Sequence, residues 1–364
     1  MSTPYQLQYY NITKRLVENP TKVGDSRIGK INSRFAEQIR VDLKKEFPLQ
    51  DIKKIKPSNI IHELMWMIKG DTNIKYLIEN GCHIWTDDAY RYYKEKYSPV
   101  RFYGDKNYLT KQTRLKLDDE LTKEEFVKKT LKGERLIDKF IDKSGSYPEI
   151  PAKYSHIDFN YRYGDLDRVY GKQWRNFNGK TDQLQNCINT LLNNPDDRRM
   201  IVTAHNPTDI EDRVVGLPSC HNYFQFYTTM NEDGTRDLST FVNIRSNDWF
   251  LGQPYNMAQY ALLTHIIATI VGMGVGKLVV NSVDAHLYHA HFDAAKEWLT
   301  RFERILDDNH VGEQGVHVDV YEAFGCNAKL NFTRQPITID DITANDIDIT
   351  DYESLGFIKA PLLT

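Results

Sequence analysis

The sequence predicts an α+β fold in which a large twisted β-sheet is packed with helices. Its composition, 40% hydrophobic and 27% charged over 364 residues, is typical of a soluble globular chain that can bury its own core. Both halves contain segments with apolar residues at helical spacing. The second half also contains alternating, aromatic-rich segments joined by a turn, which is typical of antiparallel strands.

The charge and the cysteine content narrow the class of protein. The formal net charge is −3, which predicts no basic surface for nucleic acid or membranes. Cys82, Cys187, Cys220 and Cys326 are widely spaced and include no C-x-x-C pair. This spacing predicts neither a zinc site nor a disulfide framework, so we expect free thiols in a reducing compartment.

Neither a secretion signal nor a membrane span is expected from the sequence. The N-terminal segment, MSTPYQLQYYNITKRL, lacks the apolar core of a signal peptide. The most apolar segment, MAQYALLTHIIATIVGMGVG, is interrupted by Gln259, Thr264 and His265 and is better explained as a buried helix. These features predict a cytoplasmic protein without a membrane partner.

The first predicted elements are two helices. Residues 58–69 carry apolar side chains at helical spacing after Ser58, the expected N-cap, and Glu63 lies away from the centre of that apolar face. A shorter helix in TNIKYLIEN is expected to stop at Gly81, because glycine readily adopts the left-handed conformation that ends helices.

Residues from about 90 to 163 differ in composition and predict an inserted helical subdomain. They are rich in lysine and tyrosine, and LTKEEFVKKTLKGERLIDKFIDKSG has a strong helix signal. Thr122 and Glu125 have the spacing of a capping box, in which each side chain accepts from the other residue's backbone N–H. We therefore expect one domain over residues 1–364 that carries this insertion, whose purpose the sequence leaves open.

The second half alternates predicted helices and strands. A helix in DQLQNCINTLLNN is followed by strands in RRMIVTAHN, CHNYFQFYTT and LSTFVNIRS, the last two joined by the turn NEDGTRD. A buried helix over roughly 254–272, a strand in KLVVNSV and a helix in AHFDAAKEWLTRFERIL complete the pattern. The helix in DQLQNCINTLLNN places five residues on one apolar face: Leu184, Cys187, Ile188, Leu191 and Leu192.

Cys220, at the start of the strand CHNYFQFYTT, is a candidate nucleophile. An intracellular cysteine is more often an apolar filler of the core, and that interpretation stays open here. A reactive thiol needs a lowered pKa, which nearby cations supply. Arg198 and Arg199 open one strand, and Arg245 with Ser246 closes another. Arginines with a hydroxyl suit a phosphate and would favour a thiolate, although each arginine alone is more simply a solvated surface charge.

Other polar residues in the second half are candidates for ligand binding. Asn256 lies at a loop-to-helix junction, where its amide either caps the helix or presents a donor and an acceptor to one base edge. His286 and Tyr288 are two apart, so an extended segment would point both the same way. His289 and His291 follow at a spacing unlike that of H-E-x-x-H sites, so no metal is predicted.

In combination, these segments resemble the thymidylate synthase family, including its nucleotide hydroxymethylase relatives. The resemblance covers most of the chain outside the 90–163 insertion and implies a thymidylate-synthase-like fold whose large sheet forms a homodimer interface. The matching segments occur in the family's order: FPLQDIKKIK, IIHELMWMIKGDTNIKYLIENGCHIW, GDLDRVYGKQWRNF, DQLQNCINTLLNNPDDRRMIVTAHNP, LPSCHNYFQFY, RSNDWFLGQPYNMAQYALLTHIIA, DAHLYHAHFDAA and GFIKAPLLT.

The resemblance implies three catalytic residues and no metal. Cys220 would add to C6 of dUMP, which makes C5 able to attack a one-carbon unit from 5,10-methylenetetrahydrofolate. Glu63 would organise water and protons around the base O4 and the folate. Tyr170 would take part in removing the proton from C5.

The resemblance also implies how the two substrates would be held. Arg245 and Ser246 would bind the phosphate, with Arg198 and Arg199 reaching it from the partner of a homodimer. Asn256 would read the pyrimidine edge, where relatives that act on cytidylate have an aspartate. The other nucleotide-side positions are His286 and Tyr288 at the 3′-hydroxyl, His221 supporting the pocket, and Arg27 towards the phosphate. The folate-side positions are Asp248 at the pterin, Lys53, Ile84 and Trp85 along the wall, and a C-terminal segment ending at Thr364 that would close over the folate.

Four positions depart from the family pattern. Ser219 replaces the usual proline before the cysteine, Ile244 replaces a common glutamine, and Asp88 replaces the second tryptophan of the folate wall. Arg27 is one residue out of register with the family's N-terminal arginine.

Two reactions share the implied covalent intermediate. A synthase reduces the exocyclic methylene to give dTMP and dihydrofolate, whereas a hydroxymethylase adds water to give 5-hydroxymethyl-dUMP and tetrahydrofolate. Leu217 and Trp85 fit the dry pocket of a synthase, whereas Asp88 and Ile244 alter the wall and leave the alternative open. Retention of the catalytic residues argues against a catalytically silent nucleotide-binding relative.

Overall fold

A seven-stranded mixed sheet forms the centre of the fold in the computed structural model, which describes residues 3–96, 121–140, 158, 160–212, 214–309 and 319–363. Its strands are β1 (Lys22–Ser26), β2 (Gly29–Asp42), β3 (Ile201–Thr203), β4 (His221–Met230), β5 (Arg236–Ile244), β6 (Asn247–Asp248) and β7 (Gly274–Tyr288). The strand order is β1-β2-β7-β5-β4-β3, and β6 also pairs with β7. Strands β5 and β6 run parallel to β7, whereas the other pairs are antiparallel. The predicted α+β class is confirmed.

The described residues also form α-helices, some of which pack against this sheet. They are α1 (Tyr5–Glu18), α2 (Pro57–Ile68), α3 (Lys75–Glu79), α4 (Thr86–Lys96), α5 (Lys123–Lys132), α6 (Tyr170–Asn176), α7 (Gln183–Asn193), α8 (Pro207–Glu211), α9 (Gly252–Ile270), α10 (Phe292–Asp308) and α11 (Val320–Phe324). A separate antiparallel pair consists of β8 (Lys329–Phe332) and β9 (Ile347–Thr350). Within the described ranges, no helix is both long and apolar enough to cross a membrane.

The two faces of the sheet differ in burial. Along β4, Phe224 and Phe226 are fully buried, whereas Tyr227 is 66% exposed. This alternation follows from the two-residue period of a strand. Helix α9 contacts β5 and β7 on the buried face, and most of its side chains lie in the core. The face of β4 that carries Tyr227 is therefore exposed in the described chain.

Several predicted helix boundaries need correction. Helix α2 begins at Pro57 after Lys56, so Ser58 is not its N-cap. The reason is that proline has a fixed φ that suits the first helical position. On α7, Leu192 is 57% exposed, although the other four predicted residues of its apolar face are buried. It lies about 100° around the helix from Leu191, outside the buried row.

Parts of the predicted insertion fall within the described residues. Helix α4 crosses the expected boundary at residue 90, and the capping box of Thr122 and Glu125 is confirmed at the start of α5. Phe126 is fully buried, with its ring centroid 5.4 Å from that of Tyr93 and 6.2 Å from that of Tyr163. These described parts pack into the common hydrophobic core, and the division into one domain with an insertion stays a prediction.

Candidate active site

Cys220 lies directly before β4, and its backbone joins two distant parts of the chain. Its N–H donates to the hydroxyl oxygen of Tyr170 at 2.8 Å, and its carbonyl accepts the N–H of Arg245 at 2.8 Å. Tyr170 is the first residue of α6, and Arg245 directly follows β5. The half-buried thiol therefore sits where a helix start and two strand ends meet.

The guanidinium of Arg245 is held against the loop that precedes the cysteine. Its Nε donates to the carbonyl of Ser219 at 3.0 Å, and its Nη2 donates to the carbonyl of Pro218 at 2.8 Å. The buried Ser219 hydroxyl donates to the carbonyl of Ala204 at 3.1 Å, a bond that proline at this position lacks. The serine thus links this loop to the segment that follows β3.

The electrostatic surroundings of Cys220 differ from the expectation of a lowered thiol pKa. Burial raises the pKa of Cys220, while the Arg245 charge and a hydrogen bond with Tyr170 oppose that increase. The Asp88 carboxylate acts in the same direction as burial. Arg198 and Arg199 lie exposed before β3. Arg245 therefore acts in the direction expected of a nearby arginine, but burial outweighs it and the pKa of the thiol is raised. The reach of Arg198 and Arg199 to a partner's phosphate site stays a prediction.

Glu63 forms the buried acidic centre of the site. Its Oε1 accepts from the indole N–H of Trp85 at 2.6 Å, and its Oε2 accepts from the Gln259 amide at 2.9 Å. Burial raises the pKa of Glu63 to about 7, although both hydrogen bonds act in the opposite direction. A carboxyl with this pKa both holds and releases a proton near neutral pH, as a general acid–base group requires.

Trp85 connects this carboxyl to the cysteine region. Its ring centroid lies 5.8 Å from that of Tyr170 in an edge-to-face arrangement, and 5.6 Å from that of Trp66. Ile84 is partly buried against the core beside it. Glu63, Trp85, Tyr170 and Cys220 thus form a continuous series of contacts.

Asn256 and His221 form a second polar group next to the cysteine. Asn256 lies inside α9, which begins at Gly252, so the capping role considered for it is wrong. Its Nδ2 donates to Asn247 Oδ1 at 3.1 Å, and its side chain also hydrogen-bonds His221. The Nδ1 of His221 lies 3.1 Å from the Tyr260 hydroxyl. Burial lowers the pKa of His221 to about 4, so the ring is neutral at pH 7.

His286 and Tyr288 lie two residues apart on β7, and the prediction that they point the same way is confirmed. Their ring centroids are 5.1 Å apart, and His286 Nδ1 lies 3.5 Å from Asp284 Oδ1. Burial raises the pKa of Tyr288 to about 12, with Asp248 and Cys220 adding to the increase and Arg27 opposing it. The exposed Arg27, in the turn between β1 and β2, therefore lies within electrostatic reach of this group.

Asp248 and Lys53 lie on another side of the site. Asp248 Oδ1 accepts from the backbone N–H groups of Phe250 and Leu251 at 3.0 and 3.2 Å. Lys53 Nζ donates to the carbonyl of Phe250 and lies 4.0 Å above its ring. Burial lowers the pKa of Lys53 to about 7, and the Asp248 charge opposes that decrease. Ser246, between Arg245 and β6, is half-buried.

His291 was missed as a site residue by sequence reasoning, which considered it only as a metal ligand. The ring is fully buried, its Nε2 lies 2.8 Å from the carbonyl of Pro361, and its Nδ1 lies 3.9 Å from Asp248 Oδ1. His291 is therefore bonded to the C-terminal segment and lies near Asp248 without a hydrogen bond to it. Thr364 itself lies outside the described residues. Across the described ranges, no group of three or more histidine, cysteine, aspartate or glutamate side chains is arranged to hold a metal ion.

Fold and site together define a class: an α+β protein that places a thiol, an arginine and a buried carboxyl around one site. Comparison with known proteins identifies the family within this class. The family model described as thymidylate synthase matches residues 7–364. The chain therefore belongs to the thymidylate synthase family.

Individual relatives agree with this family assignment over nearly the full length of the chain. The thymidylate synthase of Mycoplasma mobile is 36% identical over 353 residues, which cover 97% of this chain and 98% of the relative. That of Listeria monocytogenes is 34% identical over 370 residues, with 98% and 99% covered. That of Listeria innocua is 33% identical over 365 residues, again with 98% and 99% covered.

Proposed function

We propose that this chain is a thymidylate synthase that converts dUMP to dTMP, with 5,10-methylenetetrahydrofolate as cosubstrate and dihydrofolate as the second product. Membership of the family supports this general activity. The observation that carries the residue-level proposal is the placement of Cys220 between the Arg245 guanidinium and the Tyr170 hydroxyl.

In the proposed first step, the Cys220 thiol loses its proton to solvent and the resulting thiolate attacks C6 of the uracil ring. The sulfur–carbon bond forms as the C5–C6 double bond shifts its electrons towards C5 and the O4 carbonyl. Arg245, together with Ser246, binds the phosphate and offsets part of the burial that keeps the thiol protonated. Glu63 supplies or accepts the proton near O4, which its pKa of about 7 permits.

Tyr170 serves the later removal of the C5 proton in this proposal. Burial raises the pKa of its hydroxyl well above the usual range, so the group stays protonated and acts by positioning and relaying protons. Because Oη already accepts the Cys220 N–H, the O–H proton points away from that bond. His221, neutral and bonded to Asn256 and Tyr260, supports the base pocket and does not serve as the base of a Cys–His pair.

The remaining proposed contacts divide the site into a nucleotide side and a folate side. His286 and Tyr288 would hold the deoxyribose, with Arg27 near the phosphate. Asp248 would bind the pterin, because among the described contacts its second carboxylate oxygen is left for a ligand donor. Further folate-side residues are Trp85, Ile84 and Lys53.

Methylenetetrahydrofolate, when bound, supplies the one-carbon unit and the hydride. The chain's contribution is to orient it and to exclude water, which would otherwise give the hydroxymethyl product. The bond from His291 to the Pro361 carbonyl holds the C-terminal segment against a histidine whose Nδ1 lies 3.9 Å from Asp248 Oδ1. This arrangement favours the synthase outcome.

A homodimer through the outer face of the sheet completes the proposal. Tyr227 on β4 and Ile201 on β3 are 66% and 43% exposed, and the partly exposed Tyr223 on β4 and Phe241 on β5 extend this face. Such an apolar face suits a second copy of the chain. Arg198 and Arg199 lie exposed directly before β3, where they would reach the partner's phosphate site.

The decisive test is the identity of the products. The purified protein is incubated with dUMP and methylenetetrahydrofolate, the nucleotide is weighed by mass spectrometry, and dihydrofolate is followed by absorbance. Formation of dTMP with equimolar dihydrofolate supports the proposal. A nucleotide one oxygen heavier than dTMP, without dihydrofolate, would identify a hydroxymethylase instead. The Cys220→Ala variant serves as the control, and unchanged turnover in it would overturn the covalent mechanism.

A further inference from the structure

We propose that Asn247, held by Gln253 and Ser282, fixes the amide of Asn256 in the orientation that reads uracil and rejects cytosine. Asn247 is a positioning residue in this proposal, since it acts on the nucleotide only through Asn256. The inference rests on the proposed function, in which Asn256 faces the pyrimidine edge.

The sulfur of Met257 determines which way the Gln253 amide is oriented. Gln253 Nε2 lies 4.0 Å from the sulfur of Met257, in a fully buried part of α9. A thioether accepts hydrogen bonds and donates none, so the amide nitrogen of Gln253 belongs on that side. The Oε1 of Gln253 therefore faces Asn247.

The hydrogen bonds of Asn247 determine which of its amide atoms faces Asn256. Its Nδ2 donates to Gln253 Oε1 and to Ser282 Oγ, the latter at 2.9 Å. Asn247 and Ser282 are each only 1% exposed, so water does not compete for these bonds. Both N–H groups of Asn247 are used, and the atom left facing Asn256 is the acceptor Oδ1.

Asn256 is thereby held in one of its two amide orientations. Its Nδ2 donates one N–H to Asn247 Oδ1 at 3.1 Å, which leaves the second N–H and the Oδ1 for a ligand or for His221. A donor beside an acceptor in this order complements the O4 acceptor and the N3–H donor of uracil.

Cytosine requires the opposite order, because its N3 accepts and its exocyclic amine donates. To bind cytosine, Asn256 would have to turn its amide over and place its Oδ1 against Asn247 Oδ1. Two acceptors would then face each other in a buried site without a proton between them. The network therefore discriminates by an unfavourable contact with the wrong base as well as by bonds to the right one.

The test compares the equilibrium binding of dUMP and dCMP, measured by calorimetry, in the wild type and in Asn247→Leu. Leucine keeps the branched shape of the side chain and removes the acceptor, although its methyl groups are larger than the amide atoms. We expect the preference for dUMP over dCMP to fall roughly ten-fold. In an Asn256→Ala background, the same change should leave the preference unaltered, since no amide remains to be oriented.

The controls separate orientation from folding. Ser282→Ala, which removes one partner of Asn247, should give a smaller fall in the same ratio, and thermal unfolding midpoints establish that each variant is folded. Equal weakening of both nucleotides, with the ratio kept, would mean that Asn247 is only a packing residue. Absence of any dUMP preference in the wild type would overturn the proposed function itself. A wild-type preference that survives Asn247→Leu would overturn this inference alone.

Discussion

The hydroxyl oxygen of Tyr170 accepts the backbone N–H of Cys220 at 2.8 Å, although fifty residues separate them along the chain. The hydroxyl also faces the backbone N–H of His221. The Cys220 N–H therefore holds the tyrosine oxygen, and the start of α6 is fixed against the start of β4. This contact places a protonated hydroxyl beside the proposed nucleophile.

Tyr170→Phe is expected to impair the chemical step while leaving nucleotide binding nearly unchanged. The variant removes the acceptor of the Cys220 N–H and the proposed proton relay, so kcat should fall about 100-fold or more. Dihydrofolate formation measures kcat, and calorimetry measures dUMP binding. The matched control is Tyr76→Phe on α3, which loses a comparable hydroxyl contact, 2.9 Å from His62 Nδ1. Weakened dUMP binding with normal kcat would contradict the assigned role.

Cys220 should be alkylated slowly at neutral pH, and faster as pH rises beyond the usual range of a cysteine. Burial raises the pKa of this thiol and only the thiolate reacts, so the rate increases with pH. Arg245→Gln removes a charge that lowers the pKa, which should slow the reaction further at a given pH. The measurement is the rate of iodoacetamide incorporation by mass spectrometry.

Two controls accompany the alkylation experiment. Arg236 is the first residue of β5 and pairs with Asp196. The Arg236→Gln substitution removes this arginine and should leave the rate unchanged. The buried Cys82, Cys187 and Cys326, whose pKa values burial raises to about 12, should stay unmodified in the folded protein. A rate independent of pH, or faster in Arg245→Gln, would contradict the assigned electrostatics.

Glu63→Gln should stabilise the protein at pH 8 more than at pH 4. Burial raises the pKa of Glu63 from 4.5 to about 7, so between these values the folded state keeps a proton that the unfolded chain releases. Folding stability from this group is therefore complete below about pH 4.5 and is lost as pH rises through about 7. The uncharged amide has no such loss. The difference in the free energy of unfolding between variant and wild type should therefore grow by about 3 kcal/mol from pH 4 to pH 8. Denaturant unfolding at several pH values measures this difference.

The control for the stability experiment is Glu79→Gln, at an exposed helical pair with Lys75. It should show no comparable dependence on pH, since surface pairs contribute little. A Glu63→Gln stability difference that stays constant from pH 4 to pH 8 would show that the carboxyl keeps its usual pKa. Turnover should also be lost in Glu63→Gln, because the amide does not transfer protons.

Two inactive variants should restore activity to each other when mixed. An Arg198→Ala, Arg199→Ala double variant lacks the proposed partner arginines, and Cys220→Ala lacks the nucleophile. In a heterodimer, one site combines an intact Cys220 with intact arginines from the other chain. Random reassociation of equal amounts should give roughly a quarter of the wild-type activity.

Tyr227→Glu tests the surface that this mixing requires. A charge at this 66% exposed aromatic residue on the outer face of the sheet should shift the chain to a monomer in analytical ultracentrifugation. Introduced into both inactive chains, it should abolish their complementation. Full activity of the double arginine variant by itself would contradict the cross-subunit role.

His291→Phe should raise the KM for methylenetetrahydrofolate about ten-fold while dUMP affinity is kept. Phenylalanine preserves packing against Phe250 and Tyr288 but removes the bond to the Pro361 carbonyl, which loosens the C-terminal segment. Steady-state kinetics, with each substrate varied in turn, measures whether the KM for methylenetetrahydrofolate rises while that for dUMP is kept. His289→Phe is the control, because His289 bonds Asn32 at 3.0 Å. Equal effects of both substitutions would mean that the segment does not depend on His291.

Regular local patterns in the sequence were enough to predict many elements. Helices α7 and α9 and strands β4 and β5 appear near their predicted positions, because apolar spacing is a local property of the chain. Helix α1 and the β1–β2 pair were not predicted. The buried face of α1 includes Tyr5, Tyr9, Gln6 and Thr13, whose partly polar character hides the apolar spacing.

The sequence by itself determined the family, the α+β class and the identity of the candidate nucleophile, because ordered motifs and spacing are written along the chain. Only the tertiary structure decided the direction of the Cys220 and Glu63 pKa shifts and the orientation of Asn256. These properties depend on how much water packing excludes and on bonds between residues far apart in sequence. Burial and long-range hydrogen bonds arise when the chain folds, so residue spacing alone does not contain them.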